Sequence, residues 1–296
     1  VSSCFDAVLG QESAIEKLKI VLRSKQVPQA LIFKGPSGCG KKKTAICFAA
    51  ARLCDTSPEG CGVCPSCKRV FAGQSESVMF IEPVNNVIKI EQAREILNSL
   101  SLANWAGSRF VIVNDAHMMN PQAANALLKI IEEPPQDTHF IFITDNIQSM
   151  LATIRSRCQS LMFQALTPSV LRTLGAQEDW MVHASRGSAE KLMAFQNPEM
   201  QEARKVAHQV MNAPLDVELS ALDRETSLLV LRFLQMDIAQ STKKELKNLD
   251  QNATNARWLA ETFQSALQSE KDILANCDAK LTMDVFLRGL QEGVRA

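Results

Sequence analysis

Gly35, Pro36, Ser37, Gly38, Cys39, Gly40, Lys41 and Lys42 run consecutively and carry the residue types of a phosphate-binding loop. Glycines there let backbone N–H groups turn inward around phosphate oxygens, and the N-terminus of a following helix adds partial positive charge. Lys41 is placed to reach the β- and γ-phosphates of a nucleotide. The full pattern continues with Ser or Thr, whose hydroxyl holds magnesium. Lys42 stands there instead, and an ammonium offers donors only. Thr44 does not replace it, because two helical positions turn a residue by about 200°. The glycines and Lys41 favour some binding of ATP or ADP, and the missing hydroxyl argues against efficient magnesium-dependent hydrolysis.

A second acidic site accompanies the loop. Val111, Ile112, Val113, Asn114 and Asp115 read as a strand that ends in the metal-associated aspartate of phosphate-loop ATPases, and Ala116 follows. An active enzyme has glutamate after the aspartate to polarise the attacking water, and alanine has no group for that task. The plain alternative for Asp115 is a strand-end turn residue. Lys42 and Ala116 fall on two different catalytic parts, and together they suggest a site released from hydrolysis.

Cys54, Cys61, Cys64 and Cys67 have the spacing C-x6-C-x2-C-x2-C. Four thiolates close a tetrahedron around zinc and leave no open position, so the expected ion is structural. Gly60, Gly62 and Pro65 supply tight turns between the ligands. Cys4, Cys39, Cys47, Cys158 and Cys277 read as ordinary buried or surface thiols.

The elements that must position these groups alternate as in α/β proteins. Helical spacing runs from Ser13 to Arg23, a short strand from Ala30 to Phe33, and an alanine-rich helix from Lys41 to Cys54. Further strands are expected at Phe110–Asn114 and Phe140–Thr144. Asn120 is suited to cap a helix that starts at Pro121 and stops before Pro134 and Pro135. Strand signals end near Leu166. Thr167–Ala194 reads as a small helical unit, Asn197–Pro198 as a linker, and the chain from about Gln201 as helical throughout.

The 296 residues include 32 basic and 32 acidic side chains, a balance that argues against a protein gripping DNA alone through a broad basic face. No apolar run approaches the roughly 20 residues that span a bilayer, and no secretory pattern is seen at the N-terminus. Clustered cysteines in a chain too long to need a disulfide framework point to a reducing compartment, so a cytoplasmic protein is expected.

With the order Val8-Leu-Gly-Gln11, phosphate loop, four-cysteine insertion, Ala123-Ala-Asn-Ala-Leu-Leu-Lys-Ile-Ile-Glu-Glu-Pro-Pro135 and Ser156-Arg157-Cys158, the sequence resembles the bacterial DNA polymerase III clamp-loader subunits, gamma/tau and delta-prime. These motifs cover about residues 5 to 165. The resemblance implies a AAA+ module with a parallel sheet and zinc insertion (1–165, zinc module 54–67), a helical lid (166–198) and an all-α collar (199–296). It implies partners too: gamma/tau and delta subunits in a hetero-oligomeric ring, and through that ring the sliding clamp and primed DNA, with no membrane. Polymerase activity would belong to the holoenzyme, not to this chain. The departures at Lys42 and Ala116 match delta-prime, not gamma. A third agrees: Gly187-Ser188 is followed by Ala189 and Glu190 where family ATPases carry a phosphate-sensing arginine. Thr144 matches the family's polar sensor of the γ-phosphate. Arg157 matches an arginine that acts in trans on nucleotide bound to a neighbour; by itself it would read as a surface arginine paired with a carboxylate. Two other readings remain beside this one: a gamma-like ATPase with atypical motifs, and a zinc-dependent DNA-binding module.

Overall fold

The computed structural model describes residues 3–24, 26–102, 107–212, 222–245 and 253–295. The chain divides into two compact units, Val1–Leu192 and Met193–Ala296. Among the described residues no helix is long and apolar enough to cross a membrane.

The first unit is built on five strands: β1 (Ala30–Lys34), β2 (Val78–Ile81), β3 (Arg109–Val113), β4 (Thr138–Thr144) and β5 (Gln159–Met162). All pair in parallel, in the order β2-β3-β4-β1-β5. The three inner strands are near-continuous apolar runs, as strands covered on both faces must be. Alternation then sorts their side chains. Leu31, Phe33, Phe110, Ile112, Ile141 and Ile143 enter one core, and Ile32, Val111, Val113, Phe140 and Phe142 enter the other. Helices α1 (Glu12–Ser24) and α2 (Lys41–Arg52) supply the first core. Helices α4 (Ile90–Leu102) and α5 (Pro121–Glu132) supply the second. The short α3 (Pro65–Phe71) follows α2 in the chain and adds Cys67 and Val70 to the first core.

The expected elements are present with small shifts at their ends. Asn120 accepts the amide of Ala123 at 2.7 Å, Pro121 takes the first helical position, and α5 stops at Glu132 before the proline pair. Helix α2 ends two residues earlier than its composition suggests, at Arg52, which frees Cys54 to turn towards the other thiols. The two outer strands, β2 and β5, have only four residues each, and β5 exposes three of them. Edge strands are commonly this short, and neither makes a strong alternation signal.

The chain continues through α6 (Ala152–Arg155), α7 (Pro168–Thr173) and α8 (Asp179–Ser185), and α9 (Ala189–Ala194) runs across the boundary between the units. The second unit is a bundle of α10 (Pro198–Asn212), α11 (Arg224–Glu245), α12 (Ala253–Leu274) and α13 (Ala279–Arg295). Its core gathers Val210, Leu231, Leu234, Ile273 and Phe286, all almost wholly buried. Asn197 accepts the amide of Glu199 at 3.1 Å, so the Asn-Pro pair starts α10. Trp180 is buried and Trp258 half-buried, while Trp105 lies outside the described residues.

Candidate nucleotide cradle and metal centre

Parallel pairing brings the carboxyl ends of β1, β3 and β4 to one edge, where ligands of open α/β sheets sit. Lys34 lies opposite Thr144, and the amide of Gly35 donates to the Thr144 carbonyl at 3.2 Å. The loop from Gly35 to Gly40 therefore leaves the sheet beside Thr144 and runs into α2. Gln11 pins it from the other side. Its side-chain amide donates to the carbonyls of Cys39 at 3.0 Å and Gln164 at 2.8 Å, and its oxygen accepts the Gln164 amide.

Lys41 is nearly buried and turned into the loop, where its ammonium donates to the carbonyls of Gly35 at 2.8 Å and Pro36 at 2.6 Å. Burial lowers its affinity for a proton, opposed by Cys39, Asp145, Asp115 and Glu190. Lys42 faces outward and pairs with Glu82 at 2.5 Å. The hydroxyl of Thr44 is buried and donates to the Gly40 carbonyl at 2.9 Å. The Lys42 ammonium offers no ligand to a divalent cation, and the Thr44 hydroxyl is turned back onto the start of its own helix.

Residues 188 to 190 close the loop from above. The amide of Ala189 donates to the Gly38 carbonyl at 2.8 Å. A Cβ placed on Gly38, whose φ is +69°, would come within 1.9 Å of Ser188 Oγ and 3.0 Å of Glu190 Cβ. Only glycine fits there because a serine from the approach to α9 occupies the side-chain space.

Asp115 stands at the end of β3 in left-handed conformation (φ 46°, ψ 47°) and accepts from Asn114 at 3.1 Å. Ala116 is buried in the core shared by α4 and α5. His117 lies 3.2 Å from the Thr144 hydroxyl through Nδ1 and 3.3 Å from Asp145 through Nε2. The tautomer with hydrogen on Nε2 satisfies both contacts, with the threonine donating. Thr144 also accepts the Asn146 amide at 3.1 Å, so its hydroxyl already makes two contacts within its own edge of the sheet. Sequence spacing gave no sign of this His117 bridge, because its partners lie about 27 residues on.

Arg157 follows α6 on the connection to β5 and is exposed. Its guanidinium donates to the Thr153 carbonyl at 3.0 Å and the Ser156 hydroxyl at 3.3 Å, and pairs with Glu132 at 2.6 Å.

Away from this edge, Cys54, Cys61, Cys64 and Cys67 converge, their sulfurs all within 4.8 Å of one another. The Cys54–Cys64 pair lies 3.9 Å apart. A zinc tetrahedron with bonds of about 2.3 Å has sulfur–sulfur edges of about 3.8 Å, so these four residues fit such an ion after a small contraction. Backbone amides already point at three of the sulfurs: Cys61 N at Cys54, Cys64 N at Cys61 and Cys67 N at Cys64, at 3.2–3.4 Å. Burial opposes ionisation of Cys54, yet hydrogen bonds from Thr56, Cys61 and Ser57 outweigh it and draw the thiol down to about 6. A bound ion here would tie the end of α2 to α3. Cys4, expected to be an ordinary thiol, is buried against this cluster.

The family described as "DNA polymerase III, delta subunit" matches residues 10–167. The chain is 30% identical over 287 residues to DNA polymerase III subunit tau of Bacillus subtilis (strain 168), covering 95% of this chain and 48% of that protein. It is 26% identical over 309 residues to DNA polymerase III subunit delta' of the same organism, covering 90% and 92%. It is 35% identical over 177 residues to DNA polymerase III subunit gamma/tau of Mycobacterium tuberculosis (strain ATCC 25618 / H37Rv), covering 58% and 31%. The chain thus spans half or less of the length of these tau and gamma/tau relatives. Among solved structures, a DNA polymerase III gamma subunit-related protein from Thermotoga maritima gives a TM-score of 0.49 at 18% identity, over 94% of this chain and 99% of that one.

Proposed function

This chain belongs to the DNA polymerase III clamp-loader family of AAA+ proteins, and we propose that it is a delta-prime-type subunit that does not itself hydrolyse ATP. The observation that carries the reading is the state of the cradle. Position 42 offers an ammonium paired with Glu82, position 116 a buried methyl group, and Ser188 fills the space beside Gly38. In this reading the loop, Asp115 and Thr144 persist as scaffold. The four-cysteine centre holds structural zinc and stiffens the insertion after α2.

The active contribution in this reading is Arg157, which acts on nucleotide bound to a neighbouring subunit. Its exposure beyond α6 supports that role, since a side chain that must cross an interface has to leave its own core. A guanidinium stabilises the charge that develops during phosphoryl transfer. Residues 1–165 form the AAA+ module, 166–198 the lid and 199–296 the collar that joins a ring with gamma/tau and delta subunits. The ring places the sliding clamp on primed DNA, in the cytoplasm. A gamma-like ATPase is the competing reading, because the tau relative is as similar as the delta' relative.

Steady-state ATP turnover separates the two. The isolated chain with magnesium should turn over at background. Reconstituted with gamma-type partners, Arg157→Ala should lower their turnover by about 10³. Clear turnover by the isolated chain would establish the gamma-like reading. An unchanged rate in the reconstituted assembly would remove the trans role.

A further inference from the structure

The sulfur of Cys4 lies 4.0 Å from the sulfur of Cys67, across 63 residues of chain, and both are buried. It is held there on three sides. The Cys4 amide donates to the Gly60 carbonyl at 2.9 Å, and the Cys47 thiol donates to the Cys4 carbonyl at 3.1 Å. A Cβ on Gly60 (φ +74°) would come within 2.5 Å of the Cys4 sulfur, so the glycine turn of the cysteine module leaves room for this thiol.

The donors around the four converging thiols are unequal. Cys54, Cys61 and Cys64 each accept a backbone amide from a fellow member of the cluster. Cys67 instead approaches the Ala50 carbonyl at 3.7 Å and the Cys4 sulfur, with the Gly62 amide directed at both Cys4 and Cys67. A metal-bound cysteine is a thiolate and accepts only, so the Ala50 contact loses its proton when an ion binds. Cys67 then only accepts, and beside the Gly62 amide the side-chain donor that approaches it is the Cys4 S–H at 4.0 Å. Cys4 is not itself one of the four sulfurs that lie mutually within 4.8 Å.

We propose that Cys4 is a positioning residue of the metal centre, its S–H donating to the metal-bound Cys67 sulfur from outside the ligand set. The inference rests on the reading of Cys54, Cys61, Cys64 and Cys67 as metal ligands. It makes the start of the chain part of the centre: the residue that orients one ligand precedes the phosphate loop. Outer partners of this kind commonly change metal affinity by about 10–100-fold.

The test is zinc affinity of the full chain, measured by competition with a chromophoric chelator, together with the absorption of the cobalt(II)-loaded protein. Cys4→Ala should weaken zinc by about 10–100-fold while leaving the four-thiolate charge-transfer band of cobalt intact. Cys4→Ser, which restores an O–H donor, should recover most of the loss. Leu31→Ala truncates an equally buried side chain of the same core, on β1 and outside the cysteine cluster, and should bind zinc as the wild type does. Affinity of Cys4→Ala within about twofold of wild type would overturn the proposal. Equal weakening by Leu31→Ala, failure of Cys4→Ser to recover, or a diminished charge-transfer band in Cys4→Ala would overturn it too. The last outcome would make Cys4 a ligand. If the wild-type chain takes up neither ion, the four-cysteine reading itself fails and this inference falls with it.

Discussion

Glu132 Oε1 and Arg157 Nη2 lie 2.6 Å apart, so the exposed arginine beyond α6 is tethered to the last residue of α5. Both side chains are about half exposed, and pairs of that kind contribute about 0–1 kcal/mol to stability. Glu132→Gln should therefore move the urea unfolding free energy by less than about 1 kcal/mol. It should also lower partner turnover in a reconstituted assembly far less than Arg157→Ala. An equal loss in the two variants would show that the pair, not the guanidinium alone, meets the neighbour's nucleotide.

Restoring the missing cation ligand should not restore hydrolysis. Lys42→Thr removes an exposed ion pair with Glu82, at a cost below about 1 kcal/mol, and leaves Ala116 without a water-polarising group. ATP turnover of the isolated variant should stay at background. Ala116→Glu places a carboxylate where a methyl group is 1% exposed, so it should cost at least about 1–3 kcal/mol in urea unfolding. Turnover by the Lys42→Thr chain would mean that the hydroxyl was the sole defect.

Gly38→Ala tests whether the turn before α9 is seated on the loop. The added methyl would meet Ser188 Oγ at 1.9 Å and would have to adopt a left-handed backbone, so a loss of about 1–3 kcal/mol is expected. The amide of Ala189, which donates to the Gly38 carbonyl, should exchange with solvent deuterium faster in the variant. Ser188→Gly in the same chain should recover part of the stability. Unchanged protection at Ala189 would count against the closed cradle.

His139 should give the first unit a specific acid sensitivity. It is buried in β4, its ring tilted against Phe110 with centroids 5.2 Å apart, Nδ1 3.1 Å from the Pro28 carbonyl and Nε2 without a hydrogen-bond partner among the described residues. Burial lowers its pKa in the fold; the Pro28 carbonyl and Asp137 oppose this, and Arg52 adds to it. Protons therefore bind the unfolded chain more readily. Its contribution is complete above the unfolded pKa of about 6.5 and is lost as pH falls towards the lowered folded value. His139→Gln should flatten the pH dependence of the unfolding free energy in that window. An equally steep dependence in the variant would assign the sensitivity to other groups.

Much of this protein was legible before folding. The glycine spacing from Gly35 to Gly40, the apolar runs of β1, β3 and β4, the Asn120-Pro121 helix start and the four-cysteine spacing are local patterns, and local physics reads them. The replacements at 42 and 116 are equally plain, because a residue type either has a ligating or polarising group or lacks it. Tertiary structure decided what stands beside these residues. The approach of Ser188 to Gly38, the tether of Arg157 by Glu132, the His117 bridge to Thr144 and the seat of Cys4 behind Cys67 join residues 25 to 150 positions apart. No periodicity encodes such pairs, since they arise only when parallel strand register and helix packing fix which loops share an edge.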